Sequence, residues 1–351
     1  MSQLNWWESP APSISQTCLK QAQQRQDQLT KPPGSLGRLE SIATQLAAIQ
    51  HRGTPGVDKV FIAIFAGDHG ITEEGISAFP QLVTVEMQRN FVNGGAAISV
   101  LARQLNAELE IINTGTHADP DELNGVTHLP IAKQTQNFKD QPAMDTNQWR
   151  QAMGVGKTIV EQAQQKQIEL FIGGEMGIGN TASASAVLSA LCDIPVENIT
   201  GPGTGLNASG VNHKVAILQQ ALEHHRPNLT NPMEIARRLG GFEIVALAGA
   251  YLAAAQNAMA VLVDGFICSA AAAIAMKLNP SIEPYLFFSH CSAEPGHKLV
   301  MSSLGVSPLV DLNLRLGEAS GAAVVVPLLR SACALHNEMA TFAQAEVSNK
   351  S

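Results

Sequence analysis

Short runs of consecutive apolar residues alternate along the chain with longer stretches in which apolar residues recur at helical spacing. The clearest run is Val60 to Ala66, which polar and glycine residues end at 67–70. A continuous apolar run predicts a strand buried on both faces. Similar runs predict strands at 109–112, 170–172, 261–263 and 285–288, and the stretches between them predict helices at 96–105, 182–191, 211–222 and 244–255. This alternation is typical of an α/β fold with a doubly wound, mostly parallel sheet flanked by helices.

Both ends of the chain carry helical patterns and no strand pattern. Apolar residues recur at helical spacing over 36–49 and again in the C-terminal tail. We therefore predict a small helical domain built from both chain ends, residues 1–55 together with 320–351, and a large α/β domain of residues 56–319. Residues 116–150 are polar and are predicted to form a surface excursion.

Composition narrows the class of protein. A chain of 351 residues with 45% hydrophobic and 15% charged residues is typical of a soluble globular enzyme. The net charge of -8 and the absence of a Lys/Arg cluster argue against a nucleic-acid partner. The five cysteines are scattered without a Cys-x-x-Cys pair, which predicts neither disulfides nor a zinc site and favours a cytoplasmic location. No apolar stretch is long enough to predict a membrane segment.

A glycine-rich turn follows the strand predicted at 170–172. It contains Glu175 and leads through residues 177–181 into a helix of small residues. Backbone NH groups at the start of a helix carry partial positive charge and converge on anions, so the turn predicts a phosphate site. Lys214 follows another glycine-rich turn and could reach a phosphate, although a lysine near a helix start is usually only solvated. The residues predicted to hold the phosphate are Gly177, Ile178, Gly179, Asn180, Thr181 and Lys214.

Two other glycine patterns fail the requirements of nucleotide motifs. Gly154 to Thr158 resembles the end of a phosphate loop, but Gln151 occupies the first glycine position and no strand precedes it. Gly174 to Gly179 lacks the spacing of a dinucleotide fingerprint and the acidic residue that should follow about twenty positions later. We therefore predict no ATP site, no nicotinamide dinucleotide and no other cofactor.

A second glutamate, Glu318, lies among the glycines and small residues of 315–323, which leave room for a ligand beside it. This setting predicts a catalytic glutamate. The alternative, for Glu318 and for Glu175, is a carboxylate at a helix start that accepts hydrogen bonds from backbone NH groups. One acid beside an anion site and another in a tight pocket suggest chemistry on a phosphorylated sugar.

Four residues at predicted strand ends are candidates for a different role. Asp68 and His69 could ligate a metal, joined across the sheet by Asp264 or His290. The alternative is that such residues cap neighbouring helices and loops. No paired histidine motif accompanies them, and we predict no metal site.

Several motifs in fixed order resemble the nicotinate-nucleotide:dimethylbenzimidazole phosphoribosyltransferase family, whose members assemble the lower-ligand nucleotide of cobalamin. The resemblance covers about residues 30 to 337. It rests on the segments 31–40 (KPPGSLGRLE), 67–70 (GDHG), 74–80 (EGISAFP), 174–181 (GEMGIGNT), 240–243 (GGFE), 264–266 (DGF), 289–294 (SHCSAE) and 315–322 (RLGEASGA).

The resemblance implies a role for each candidate residue. Glu318 corresponds to the family's catalytic base, Glu175 to its second active-site glutamate, 177–181 to its phosphate loop and Lys214 to a lysine near the phosphate. The implied substrates are nicotinate mononucleotide and dimethylbenzimidazole, and the implied assembly is a homodimer whose partner subunit helps to close the site. The implied chemistry needs neither a metal nor a general acid, because nicotinate leaves as a neutral ring.

The lining of the base pocket does not specify the base. We predict that Phe79, Met87, Met176 and Leu316 bind it. Around the base some members of the family have smaller or polar residues, where this sequence has Phe79 and Met87, with Met176 after the second glutamate. An apolar lining discriminates weakly between similar rings, by about 1 to 3 kcal/mol for each methyl-sized difference. The alternatives for the whole chain are another nucleotide ribosyl transfer or a catalytically silent nucleotide-binding protein.

Overall fold

Six parallel strands form the central sheet of the computed structural model, which describes residues 5–118 and 123–348. Their spatial order is β3-β2-β1-β4-β5-β6, and every neighbouring pair is parallel. The strands are β1 (Val60–Gly67), β2 (Glu108–Gly115), β3 (Val126–His128), β4 (Leu170–Met176), β5 (Ala260–Val263) and β6 (Leu286–Phe288). The predicted doubly wound, parallel α/β fold is confirmed.

The described residues contain twelve α-helices, most of which pack on the two faces of the sheet. They are α1 (Gln16–Gln28), α2 (Arg38–Ile49), α3 (Leu82–Val92), α4 (Ala97–Leu105), α5 (Thr146–Gln165), α6 (Asn180–Cys192), α7 (Ala208–His225), α8 (Pro232–Leu239), α9 (Phe242–Gln256), α10 (Phe266–Leu278), α11 (His297–Ser303) and α12 (Ser320–Glu338). Short 3-10 helices span Trp6–Glu8, Gly70–Glu74, Val196–Asn198, Arg226–Asn228 and Pro280–Tyr285. No helix in the described ranges has the length and apolar character needed to cross a membrane.

The order of the strands reverses at the centre of the sheet. From β1 the chain moves outward to β2 and β3 on one side, and it returns to build β4, β5 and β6 on the other. The loops that follow β1 and β4 therefore run in opposite directions and leave a crevice at the carboxyl ends of these strands. Asp68, Glu175 and Asp264 all lie at this edge of the sheet.

The prediction of a surface excursion at 116–150 is wrong. This segment contains β3 and the start of α5, and it buries Phe138 and Met144 completely. The pattern was misleading because β3 is a short edge strand that pairs on one side only, so that Val126 and Thr127 are half-buried and carry little apolar signal.

The two ends of the chain pack together as expected. Helices α1 and α2 contact each other, α2 contacts α12, and Arg25 donates hydrogen bonds to the backbone carbonyls of His336 (2.6 Å) and Asn337 (2.8 Å). One continuous apolar core nevertheless joins Leu46 of α2 to the sheet residue Phe61. A separate helical domain with the boundaries given above therefore stays a prediction.

The phosphate-loop-like segment 154–158 lies in the middle of α5, where it cannot form a phosphate turn. Instead, the small size of Gly156 serves helix packing, because α5 lies along α9. A Cβ on Gly156 would come within 1.9 Å of the carbonyl oxygen of Ala246 and 2.5 Å of the amide nitrogen of Ala250. A Cβ on Gly154, in the same helix, would point into open space with no neighbouring atom within 4 Å.

We expect Gly156→Ala to lower the free energy of unfolding by about 1 to 3 kcal/mol, since the new methyl group meets backbone that cannot rotate away. The matched control is Gly154→Ala, which adds the same methyl group to open space and should raise stability by up to about 1 kcal/mol through helix propensity. Urea unfolding followed by circular dichroism measures both. A Gly156→Ala protein as stable as Gly154→Ala would contradict the close packing of α5 on α9.

Candidate active site

A cavity of about 460 Å³ opens at the carboxyl ends of the central strands. It lies at the point where the strand order reverses, which is where ligands bind in open parallel sheets. Ten of the twelve residues that we predicted for the site line this cavity: Phe79, Met87, Glu175, Met176, Gly177, Ile178, Asn180, Thr181, Leu316 and Glu318.

The other two predicted residues lie behind the cavity wall. Gly179 has a left-handed backbone (φ 99°), and a Cβ there would point at Thr72 and His69 rather than into the cavity. Lys214 is buried, and its Nζ donates hydrogen bonds to Thr181 Oγ1 (2.8 Å) and to the carbonyl of Gly201 (3.4 Å). Burial lowers the pKa of Lys214 to about 8. The ammonium group therefore contacts Thr181, which lines the cavity, and does not line the cavity itself.

The turn between β4 and α6 has the backbone geometry of an anion site. The NH of Asn180 donates to the carbonyl of Gly177 (3.1 Å), and the NH of Ile178 donates to Thr84 Oγ1 (3.2 Å). Within the described residues, the NH groups of Gly179 and Thr181 have no acceptor. Such unpaired donors at the start of a helix are available to an anion.

Glu175 lies at the end of β4 and is almost fully buried. The side-chain amide of Asn180 donates a hydrogen bond to its carboxylate. Burial is the main reason why the pKa of Glu175 is raised well above its usual range, and the nearby charges of Glu243, Asp264 and Glu318 raise it further. These effects oppose ionisation of Glu175 relative to a free glutamate.

Glu318 lies just before α12 in an unusual backbone conformation. Gly317, Glu318 and Ala319 have φ angles of 83°, 59° and 59°, so three consecutive residues are left-handed. A left-handed conformation costs a non-glycine residue about 1 kcal/mol or more and is found mainly where function requires it. Glycine is favoured at position 317 for a second reason. A Cβ there would come within 2.6 Å of Glu175 Oε1, so the Glu175 side chain would have to move.

The electrostatic setting of Glu318 suits a base. Burial, and to a lesser degree the charge of Asp264, raise the pKa of Glu318 to about 7. A carboxylate with a pKa near the working pH exchanges protons effectively. The alternative role of Glu318 as a helix cap is not supported, because Asp264 Oδ1 accepts the hydrogen bond from the NH of Ala322 in the first turn of α12 (2.7 Å).

The four candidate metal ligands are separated and serve other contacts. Asp68 accepts a hydrogen bond from Thr84, and His69 Nε2 lies 2.7 Å from Glu243 Oε1. On the other side of the site, His290 Nδ1 lies 3.8 Å from Asp264 Oδ1. Among residues 5–118 and 123–348, no group of three or more His, Cys, Asp or Glu side chains is placed to hold a metal ion.

Comparison with known proteins points to one family along the whole chain. A family model described as "Phosphoribosyltransferase" matches residues 11–347. The protein named nicotinate-nucleotide–dimethylbenzimidazole phosphoribosyltransferase from Pseudomonas aeruginosa (strain UCBPP-PA14) is 54% identical over 347 residues, which cover 99% of each chain. The chain belongs to this phosphoribosyltransferase family. The protein of the same name from Azotobacter vinelandii is 55% identical over 347 residues, 98% of each chain.

The solved structures agree with the sequence relatives of the family. A crystal structure of the enzyme of the same name from Thermus thermophilus matches with a TM-score of 0.90 and 37% identity, and the match covers 96% of this chain and 100% of that one. A second crystal structure, of CobT from the same organism, matches with a TM-score of 0.91 and 38% identity over 95% of this chain and 100% of that one. The resemblance to the family found in the sequence is thus confirmed.

Several polar residues that also line the cavity have no role predicted from the sequence, namely Thr204, Ser292, Glu294 and Arg315. Three of these residues lie inside segments that carry the family resemblance, namely Ser292, Glu294 and Arg315. Their positions in these segments could have indicated that they belong to the site. Burial raises the pKa of Glu294, and the positive charges of Lys214 and Arg315 oppose this shift. Arg315 and one carboxyl group therefore line this end of the cavity, and the ammonium group of Lys214 lies behind it.

Proposed function

We propose that this protein transfers the 5-phosphoribosyl group of nicotinate mononucleotide to 5,6-dimethylbenzimidazole or a related base, which yields α-ribazole 5'-phosphate and nicotinate. The observation that carries the proposal is the arrangement of Glu318 and the phosphate turn around one cavity, with the pKa of Glu318 raised to about 7. The names of the relatives support the same pair of substrates.

The proposed reaction exchanges one nitrogen for another at C1 of the ribose. The bond from C1 to the pyridinium nitrogen breaks, and its electron pair leaves with nicotinate as a neutral ring. One nitrogen of the benzimidazole attacks C1 from the opposite face, which gives the α-linked product. The other nitrogen loses its proton to the carboxylate of Glu318, a form of help that is usually worth about a hundred- to ten-thousandfold in rate.

For Glu175 we propose an electrostatic role that depends on the substrate. Burial and the neighbouring carboxyl groups raise the pKa of Glu175 and oppose its ionisation in the empty site. A cationic pyridinium or ribosyl group nearby favours the ionised form, because opposite charges stabilise each other in a buried site. The negative charge then develops where the oxocarbenium-like transition state needs it.

The phosphate subsite is proposed at the start of α6. The NH groups of Gly179 and Thr181 lack acceptors among the described residues, and Lys214 holds the hydroxyl of Thr181 from behind. Gly177, Ile178 and Asn180 shape the turn that presents these groups. A hydrogen bond from a charged donor such as the Lys214 ammonium group is about twice as strong as one from a neutral donor.

The base subsite is proposed between apolar side chains. Phe79, Met87, Met176 and Leu316 line the cavity together with the two glutamates. Aromatic and sulfur-containing side chains hold flat rings through stacking and through contacts of the sulfur with the ring. Such a lining would place the ring of the base within reach of the Glu318 carboxylate. It would discriminate only weakly between bases with different ring substituents.

The experiment that tests the function is a direct assay of nicotinate release by the purified protein. We expect release from nicotinate mononucleotide to require dimethylbenzimidazole, and we expect unsubstituted benzimidazole to replace it with a specificity constant within about a hundredfold. Release without any base would indicate a different ribosyl transfer. Binding of the mononucleotide without release under any of these conditions would indicate a silent nucleotide-binding protein.

Glu318→Gln should lower turnover by about two to four orders of magnitude, because glutamine keeps the size of the side chain but cannot take a proton. Since the pKa of Glu318 is raised to about 7, the wild-type carboxylate is protonated at lower pH, and kcat/KM should rise with pH through about 7. This limb of the pH profile should be absent in Glu318→Gln. Glu161→Gln, at an exposed position on α5, is the control. A folded Glu318→Gln enzyme with wild-type turnover would remove the base from the proposal.

Nicotinic acid riboside, which lacks the phosphate, should be a far poorer substrate than the mononucleotide. Lys214→Ala should narrow this gap, since it weakens only the substrate that carries the phosphate. Lys157→Ala, which removes an exposed lysine of α5, is the matched control. Steady-state constants for both substrates measure the effect, and equal use of riboside and mononucleotide by the wild-type enzyme would place the phosphate elsewhere.

We also propose that the protein works as a homodimer in the cytoplasm. Three large apolar side chains near the entrance of the cavity stay exposed, with Phe79 at 48%, Leu82 at 52% and Leu316 at 58%. A second chain packed over this entrance would bury them and close the site, as the resemblance implies. All five cysteines are free, which is in keeping with a reducing compartment.

Sedimentation velocity should therefore find a species of two chains, and Leu82→Glu should shift it toward one chain and lower the activity. The control is Leu299→Glu, which changes an equally exposed leucine on α11. A wild-type protein that sediments as a single chain at full activity would rule out a partner subunit in the site.

A further inference from the structure

Thr84 is a buried threonine on α3 that contacts two parts of the site at once. Its Oγ1 lies 2.6 Å from Asp68 Oδ1 and 3.2 Å from the backbone nitrogen of Ile178. A hydroxyl group has one proton to donate, and the NH of Ile178 can only donate. Thr84 therefore donates to Asp68 and accepts from Ile178.

The acceptor of the Thr84 proton is itself held on all sides. The second oxygen of the Asp68 carboxylate accepts a hydrogen bond from the NH of His117 (2.9 Å). The backbone of Asp68 is bonded to Gly115 (3.0 Å) and to Thr135 (3.1 Å). Burial raises the pKa of Asp68 to about 6, so that at neutral pH the carboxylate is ionised and only accepts. Thr84 is thus hydrogen-bonded to a carboxylate that is itself held in place, directly after β1.

Thr84 lies between two walls of the cavity. Its neighbours on α3, Val83 and Met87, line the cavity on the side of the proposed base subsite, and Ile178 belongs to the phosphate turn. Because Thr84 takes the NH of Ile178, this peptide group is turned away from the cavity. Among the described residues of the turn, Asn180 also has its NH paired, so the NH groups left for an anion are those of Gly177, Gly179 and Thr181.

We propose that Thr84 is a positioning residue for phosphoribosyl transfer, whose hydroxyl fixes the phosphate turn against α3 and so sets the distance between the phosphate and base subsites. The proposal rests on the function proposed above. It goes beyond the motifs of the family resemblance, since Thr84 lies outside every one of those segments. It requires the hydroxyl group and not merely the volume of the side chain.

The test compares Thr84→Val, which removes the hydroxyl at nearly constant volume, with Thr84→Ser, which keeps it. Loss of the hydroxyl leaves the Ile178 NH without a buried partner and leaves the Asp68 carboxylate with the NH of His117 alone. We expect Thr84→Val to raise the KM for nicotinate mononucleotide about ten- to a hundredfold, with a smaller change in kcat, and to leave the constants for the riboside nearly unchanged. Thr84→Ser should restore the wild-type KM.

The matched control is Thr44→Val, because Thr44 is also a buried threonine, with a hydroxyl that donates only to a carbonyl of its own helix, α2. Thr44→Val should keep wild-type constants for both substrates. A Thr84→Val enzyme that loses the same factor with riboside and with mononucleotide, or a Thr84→Ser enzyme that is not restored, would overturn the proposal. If Thr84→Val does not fold, Thr84→Ala takes its place, since it removes the same hydroxyl without placing a methyl group beside Asp68 and Ile178.

Binding without turnover separates this proposal from the proposed function. The rise in melting temperature on adding nicotinate mononucleotide, with no base present, reports binding alone. We expect this rise for wild type, Thr84→Ser and Thr44→Val, and we expect it to be much reduced for Thr84→Val. If wild type binds the mononucleotide but releases no nicotinate, the function fails while the binding series still decides the role of Thr84. Equal rises in all four proteins would overturn that role.

Discussion

The parallel pairing of β1 with β4 is the constraint on which the rest of this structure depends. With β2 on the far side of β1, the chain leaves the two central strands in opposite directions, and a crevice opens at their carboxyl ends. The register pairs Ala66 with Met176, so Asp68 and the phosphate turn begin at the same level of the sheet. Thr84 can bridge Asp68 and Ile178 only because the strands end together.

Buried carboxyl groups give the site its electrostatic character. Glu175 and Glu318 lie close to Asp264 in a cavity where burial raises the pKa of each. Their mutual repulsion disfavours full ionisation of the empty site, and a substrate that carries positive charge relieves it. Of the three carboxyl groups, Asp264 has the best stabilised negative charge. It accepts a hydrogen bond from the NH of Ala322, and His290 lies beside it. The site therefore favours a ligand that carries positive charge over a neutral one.

The backbone before α12 brings the two glutamates together. The left-handed run of Gly317, Glu318 and Ala319 is unfavourable by itself, and the surrounding structure must hold it. Burial of Ala319 and the hydrogen bond from the first turn of α12 to Asp264 provide that support. Glycine is favoured at 317, since the backbone there is left-handed and a Cβ would force the Glu175 carboxylate to move. The conformation thus links the α12 end of the chain to the centre of the sheet.

The amino-acid sequence by itself determined the layers of the fold and the chemistry of its loops. Buried strands such as β1 have continuous apolar runs, and glycine-rich turns lie where the chain must bend tightly, so both are visible locally. Tertiary structure alone decided which polar groups meet. Apolar periodicity shows that a residue is buried but not what it contacts, so the edge strand β3, the bridge made by Thr84 and the placing of Lys214 behind Thr181 had no local signal. The raised pKa of Glu175 likewise arises from burial and from charges on distant segments, and neither is visible in the local sequence around it.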